Sequence, residues 1–518
     1  MLNIDPHDQT YVESQLAGLP AIFRCELLKG YKRQKTRFDA NTWIRLKRQA
    51  IAQAIGVNPF ALVLDADEDA LRQQASKLAE INSHIVLLSA GTNAAYQKAL
   101  NFVEGKRLRP PAPIELTEPG YRSAIARMTC KDWWLKKLRN RQVRDVETVA
   151  RILGLVNVKR GLYASDITVL KRRAQKAYHE QLLSSTLVVN EWGQQYSLKE
   201  LSELNVSNPA IRKAELMARM RGFEELSKAQ GDEALFLTMT CPSRFHAHLG
   251  TSGRPNPKWD GSTPAQAQHY LCSTFACIRS HLQREEIRLY GFRVAEPHHD
   301  GTPHWHLLLF VKPDQRKRVE AIFRQHCFKV DGNEPGAAEH RFKVVRIDPA
   351  KGSATGYIAK YVSKNINGEG LDVGVYGENP IEAAERVEAW AACWRIRQFQ
   401  QIGGPSVTVW RELRRMRPIA GLSDRLKAIR EAADQSDWQG YTRLMGGAFA
   451  ALKDRPLRIY YELKHSKETG ELSMGAYGDR FIKCLKGLLH EGQSIITRRF
   501  SWKVLKAGTA FNTSLGVL

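Results

Sequence analysis

Two histidines one residue apart, His304 and His306 in "PHWHLLLF" (303–310), stand at the start of an apolar run. Side chains in an extended strand alternate between faces, so both imidazoles point one way, with Trp305 and Leu307 on the other face. Imidazoles placed like that are able to reach a single cation. Just upstream, "EPHHDGT" (296–302) contains Asp300-Gly301, a strong hairpin-turn signal. Antiparallel pairing across that turn brings Glu296 beside His304. A carboxylate next to two imidazoles makes a three-ligand metal centre with open positions, which suits catalysis because substrate or water completes the coordination. The bland alternative is a pair of half-buried strand histidines and an exposed strand-end carboxylate. His298 and His299, in the turn, are spare ligand candidates, read more simply as exposed turn residues.

A second group of reactive side chains lies in "GYIAKYVSKN" (356–365). On a helix, Tyr357 and Tyr361 project from one face, one turn apart. Ile358, Val362 and Ile366 form an offset apolar stripe that can seat the helix on a sheet. Lys360 and Lys364 each follow a tyrosine by three, which predicts an ammonium near each phenol. Alone, the segment reads as a basic amphipathic helix with aromatic edge packing.

The two groups together describe one kind of reaction. A phenol is a weak nucleophile, with a free pKa of about 10. Its attack on a phosphodiester needs the phosphate charge neutralised, which a divalent cation supplies, and a nearby lysine steadies the phosphate or lowers the phenol pKa. The product is a covalent phosphotyrosine that keeps the phosphodiester energy, so the strand is rejoined without ATP. Two tyrosines on one face allow two successive transfers. Mg²⁺ or Mn²⁺ is the expected ion, although two imidazoles also suit zinc.

The elements that must position these groups are readable around them. "ALFLTMT" (234–240) is apolar and β-branched, as a buried central strand requires. "PAQAQHYLCSTFACIRSHLQREEI" (264–287) has helical periodicity, "IRLYGFRVAE" (287–296) and "PHWHLLLFVK" (303–312) are strand-like, and "HRFKVVRI" is a further strand. The tyrosine segment follows, with Ser353 or Thr355 as N-cap. The expected class is α+β, with a central antiparallel sheet and flanking helices in residues 229–380. Residues 1–228 read as mainly helical, and so do the basic residues 381–518, which include "VWRELRRMRP" (409–418). In "CKDWWLKKLRNRQVRDVETVARILGLVNVKRG" (130–161), Trp133 and Trp134 are core residues under a solvated charged face, or part of an accessory DNA-binding surface.

Composition narrows the class. The 518 residues allow several domains, and 78 Lys plus Arg against 54 Asp plus Glu leave a net charge of +24, which favours a polyanionic partner. No run of eighteen apolar residues predicts a membrane span, and "MLNIDPHDQTYVESQ" lacks the basic and apolar regions of a secretory signal, so a cytoplasmic location is expected. The eight cysteines form no C-x-x-C pair and read as reduced, mostly core residues. The absence of G-x-x-x-x-G-K-[ST] predicts that the chain is not its own ATP-driven helicase.

"ALFLTMT", "EPHHDGTPHWHLLLF" and "GYIAKYVSKNI", in that order, resemble the three motifs of HUH endonucleases, and within them the two-tyrosine replication initiators of the bacteriophage gene A protein family. The match covers roughly residues 232–370. The resemblance implies a nickase for single-stranded DNA at a replication origin in a host bacterial cytoplasm. One tyrosine would form a 5′-phosphotyrosine link and leave a 3′-OH to prime rolling-circle synthesis. The other would cut the regenerated origin, with closure of the released strand. His304 and His306 would be metal ligands, Glu296 a third, Tyr357 and Tyr361 nucleophiles, and Lys360 and Lys364 phosphate helpers. A host helicase and polymerase would open and copy the duplex. A two-tyrosine transposase or relaxase would share the site. A DNA-binding regulator without catalysis, or a phosphodiesterase using activated water, are rivals of other kinds.

Overall fold

The structure is a computed structural model that describes residues 6–56 and 64–505, except positions 251, 349, 351, 371, 375, 418–420, 467 and 479. The chain divides into two compact units, Met1–Leu155 with Tyr461–Cys484, and Val156–Tyr460 with Leu485–Leu518.

The first unit is built mainly of helices, among them Glu68–Leu87, Thr92–Gly105, Glu118–Met128 and Lys131–Ile152. Their apolar faces close on a core containing Leu71, Leu78, Tyr96, Val103, Met128 and Trp134. Trp133 and Trp134 belong to this core, and the Trp134 indole N–H donates to the Met128 carbonyl at 2.7 Å. On the charged face of the same helix Arg141 pairs with Asp145 at 3.1 Å, and Arg139 reaches Glu68 of the helix Glu68–Leu87.

The second unit carries the antiparallel sheet. Its strands are β1 (Glu233–Thr240), β2 (Tyr290–Pro297), β3 (Pro303–Val311), β4 (Phe342–Arg346) and β5 (Phe399–Ile402). They lie in the order β4-β1-β3-β2-β5, every neighbouring pair antiparallel, so the fold is α+β with the histidine strand in the middle of its sheet. Both faces of the central strands are buried, which is why β1 and β3 are apolar nearly throughout rather than alternating.

Helices cover both faces. They are α1 (Pro209–Gln230), α2 (Pro264–Arg284), α3 (Arg316–Cys327), α4 (Ala354–Ile366) and α5 (Pro380–Trp394). On one face Phe236, Phe292, Val294, Leu308 and Phe310 join a core with Met220 and Phe223 of α1 and with Ile358, Val362 and Ile366 of α4. The apolar stripe of the tyrosine helix therefore seats it on the sheet. On the other face Trp305 meets Phe275 of α2 edge-on at 5.9 Å, and Phe275 meets Phe323 of α3 at 6.2 Å. Ser353 caps α4 by accepting from the Gly356 N–H at 2.9 Å, whereas Thr355 turns to the buried Glu224 carboxylate.

Residues after 381 contain more strand than their sequence suggests. Besides β5, strands run at Leu457–Leu463, Lys483–His490, Gln493–Ile496 and Trp502–Val504. Among the described residues no helix is long and apolar enough to cross a membrane, and all eight cysteines are free; only Cys241, Cys327 and Cys393 are buried, so the expectation of mostly core cysteines does not hold.

Candidate active site

The register of the β2–β3 hairpin sets the site. Glu296 pairs directly with His304, and on the other side of β3, Thr238 of β1 pairs directly with His306. Directly opposed residues of an antiparallel ladder share a face, so Glu296, Thr238 and both imidazoles project on the side that α4 covers. Ligand atoms of Glu296, His304 and His306 all lie within 4.8 Å of one another. The two Nε2 atoms are 3.0 Å apart, and a Glu296 carboxylate oxygen stands 4.0 Å from His304 Nε2 and 3.8 Å from His306 Nε2.

This donor set fits a divalent cation. Burial, then the neighbouring His298 and His306 rings, holds the His304 imidazole well below the usual histidine range. Burial, then Lys364 and Lys360, brings His306 down to about 3. Both rings are therefore neutral at ordinary pH, the form that binds metal. Thr238 Oγ1 is 3.1 Å from His306 Nδ1, which fixes the ring and leaves Nε2 pointing at the shared centre. The 3.0 Å between the two nitrogens is what neighbouring corners of an octahedron give at ligand distances of about 2.1 Å. Glu296 is fully buried, and burial pushes its carboxyl upward against the opposing pull of Lys364. Lys364 Nζ at 3.3 Å and the Asn365 amide N–H hold that carboxylate in place.

The tyrosine helix brings a phenol ring to the centre. The Tyr361 ring lies 4.0 Å from the His306 ring, and Phe236 stacks against both, at 5.4 Å and 5.5 Å. Burial, then the Glu296 charge, pushes the Tyr361 phenol up to about 12. Tyr357 sits one turn nearer the helix start, half-buried, with its ring 6.4 Å from Phe236. The lysines depart from the expected pairing of one ammonium per phenol. Lys360 lies over the Tyr361 ring at 4.9 Å, while Lys364 lies between Glu296 and the Tyr163 ring, 5.0 Å from the latter. Glu296, His304, His306, Tyr361 and Lys364 are thus brought together, Lys360 stands at the exposed edge, and Tyr357 lies beside them on the same helix.

Several contributors were not legible as site residues. Thr238 and Asn365 act through the tertiary register, and their only sequence signal is position, one inside the first strand motif and one beside Lys364. Tyr163 comes from far upstream, has a left-handed φ of 69° and donates its hydroxyl to Glu378 at 2.8 Å. The turn histidines also differ from expectation: His299 is buried and His298 half-buried. The loop is covered because Tyr163 N–H donates to the His299 carbonyl at 3.2 Å and Trp390 of α5 donates to the Gly301 carbonyl at 2.7 Å. Asp300 pins it from inside, accepting from Ala247 N–H at 2.7 Å and from Thr302 Oγ1 at 3.0 Å.

A family model described as bacteriophage replication gene A protein matches residues 71–369. The chain is 42% identical over 395 residues to the "Replication gene A protein" of Escherichia phage 186, covering 74% of this chain and 56% of that protein. It is 40% identical over 393 residues to the "Replication protein" of Haemophilus phage HP1 (strain HP1c1), covering 74% and 49%. It is 38% identical over 421 residues to a "Probable replication endonuclease from prophage-like region" of Salmonella paratyphi A, covering 77% and 51%. The chain spans about half the length of these curated relatives. No solved structure matches it. With 299 of its residues inside the family match and a relative 42% identical over 74% of its length, the chain belongs to the bacteriophage replication gene A protein family.

Proposed function

We propose that the chain is a site-specific endonuclease and strand transferase that nicks single-stranded DNA at a replication origin through a 5′-phosphotyrosine intermediate, initiating and terminating rolling-circle replication. One observation carries the reading: the Tyr361 ring lies 4.0 Å from a histidine of the buried Glu296/His304/His306 group. The printed names of the relatives, replication proteins and replication endonucleases, support it.

In this reading Glu296, His304 and His306 would hold a divalent cation, Mg²⁺ or Mn²⁺, and such an ion would supply charge neutralisation and polarisation at the scissile phosphate. Thr238 keeps His306 in the tautomer whose Nε2 lone pair faces the centre. The phenol oxygen of Tyr361 or Tyr357 attacks phosphorus, a phosphorus–phenol oxygen bond forms, and the bond to the 3′ oxygen breaks. The phenol proton is balanced by the proton gained on the leaving 3′ oxygen. Lys360, exposed beside Tyr361, meets the incoming phosphate, and Lys364 keeps the Glu296 carboxylate oriented. The second tyrosine cuts the regenerated origin, and the freed 3′-OH attacks the first phosphotyrosine to close the circle. A host helicase and polymerase supply unwinding and synthesis in the bacterial cytoplasm.

Incubation with single-stranded oligonucleotides carrying the origin, with Mg²⁺ or Mn²⁺, followed by denaturing gels, tests the proposal. A metal-dependent protein–DNA adduct that is lost in Tyr357→Phe/Tyr361→Phe is the expected result. Cleavage that persists in that double variant without adduct would mean hydrolysis by water, and binding without cleavage would mean a regulator.

A further inference from the structure

The basic residues Arg411, Arg414, Arg415 and Arg417 play no part in the site described above, yet they border a cleft. Between the turn after Leu187–Asn190 and the strand Trp502–Val504 lies a cleft of about 700 Å³ walled by Trp192, Phe500 and Trp502. Trp192 is 73% exposed at the tip of its turn, and its ring meets Phe500 edge-on at 4.9 Å. Phe500 in turn lies 6.5 Å from Trp502, itself 40% exposed. Large aromatic faces left open to solvent in a cluster mark a binding surface.

The rim is cationic. Arg415, Arg417, Arg498 and Arg499 line the cleft, against Glu191 as its one carboxylate. Glu191 is already engaged by the Ser501 N–H and hydroxyl, at 2.9 Å and 3.2 Å. Arg498 is held by Glu412 at 2.7 Å, whereas Arg417 and Arg499 are exposed with no acidic partner among the described residues. A second cleft of about 780 Å³ shares Arg415 and Arg498 with the first and adds Arg411 and Arg414, with Arg411 held at 2.7 Å by Glu215, the acidic residue of its lining.

We infer that this arginine-rimmed aromatic cleft is a second binding site for single-stranded DNA, separate from the tyrosine centre. Bases stack on Trp192 and Phe500, and phosphates pair with Arg417 and Arg499. Every base has a flat π-face, so stacking is sequence-tolerant, and guanidinium forks match phosphate oxygens. An acidic peptide would satisfy the arginines but leave the indole and phenyl faces without a flat partner. The inference rests on the DNA-nicking function proposed above and extends it: the cleft retains the strand between the two tyrosine transfers.

The test uses fluorescein-labelled oligothymidylate and anisotropy, in the full chain carrying Tyr357→Phe/Tyr361→Phe so that no covalent capture intervenes. Stacking is worth about 1–3 kcal/mol per base, or roughly 5- to 150-fold, so adding Trp192→Ala should weaken binding at least about five-fold. Arg417→Ala with Arg499→Ala should lower the slope of log affinity against log salt by roughly 1.4. In the chain with both tyrosines present, Trp192→Ala should leave adduct formation on a short origin oligonucleotide unchanged. Unchanged affinity and salt slope alongside normal adduct formation would overturn the cleft and spare the nicking function. Displacement of the DNA by poly-glutamate at matched charge, equal with and without Trp192, would overturn it in favour of an acidic peptide site. Absence of both binding and adduct in the parent chain would instead strike the nicking function itself, and the cleft with it.

Discussion

Replacing Thr238 by Val should weaken metal binding at the proposed Glu296/His304/His306 centre while leaving the fold intact. The substitution keeps volume and β-branching in a central strand, and removes only the hydroxyl 3.1 Å from His306 Nδ1. His306 is 7% exposed, so no water replaces the lost partner freely. When Nε2 carries an ion, Nδ1 must carry the proton and needs an acceptor. A buried donor without one costs about 1–3 kcal/mol, which corresponds to roughly a 5- to 150-fold loss of apparent metal affinity. That range agrees with the roughly 10- to 100-fold effects typical of residues that orient a ligating histidine. The assay is adduct yield as a function of Mn²⁺ concentration: half-saturation should move upward by that factor, with yield at saturating Mn²⁺ near that of the parent. Thr238→Ser, which keeps the hydroxyl, should restore half-saturation. Unchanged half-saturation in Thr238→Val would refute the claim that Thr238 sets the His306 tautomer.

Asn365 donates to both Glu296 and the Tyr361 carbonyl, so Asn365→Ala should lower stability by about 1–3 kcal/mol, read from urea midpoints, and reduce adduct yield. His306 falls to about 3 in the fold against about 6.5 unfolded, so in that window the unfolded chain binds a proton that the folded chain refuses. Stability of the metal-free protein should therefore fall as pH drops from about 6.5 towards 3, and His306→Gln should flatten that slope in chelator-treated samples. Gly291 has a φ of 148°, and a Cβ there would stand 1.9 Å from the Leu308 carbonyl oxygen of β3. Gly291→Ala should cost at least as much as a core truncation, about 2–5 kcal/mol, seen as insolubility or a large drop in Tm.

Much of the site was legible in the sequence because strand geometry alone decides it. Period two places His304 and His306 on one face, and the hairpin signal predicts the pairing of Glu296 with His304, which the register bears out. "ALFLTMT" reads as a central strand because burial on both faces leaves an apolar run. The rest depends on tertiary contacts. β5, "FQQI", is a short, half-buried edge strand with no periodic signature, in a region read as helical. The exposure expected of His298 and His299 failed because Tyr163 and Trp390, far away in sequence, bond the turn carbonyls. Spacing placed Lys360 and Lys364 near the phenols three residues earlier, but Lys360 lies over Tyr361 and Lys364 is drawn to the buried Glu296. A charge sequestered from water outweighs helix spacing in choosing a partner.

Peptide mass mapping shows whether a tyrosine of α4 becomes covalently joined to DNA, as proposed. The chain would be incubated with an origin oligonucleotide and Mn²⁺, denatured, digested with protease and nuclease, and the nucleotide-modified peptide sequenced. The expected result is a phosphodiester-linked nucleotide on Tyr357 or Tyr361, absent when a chelator is added. Cut DNA bearing a free 5′-phosphate with no modified peptide, or a modification on any residue outside α4, would contradict it.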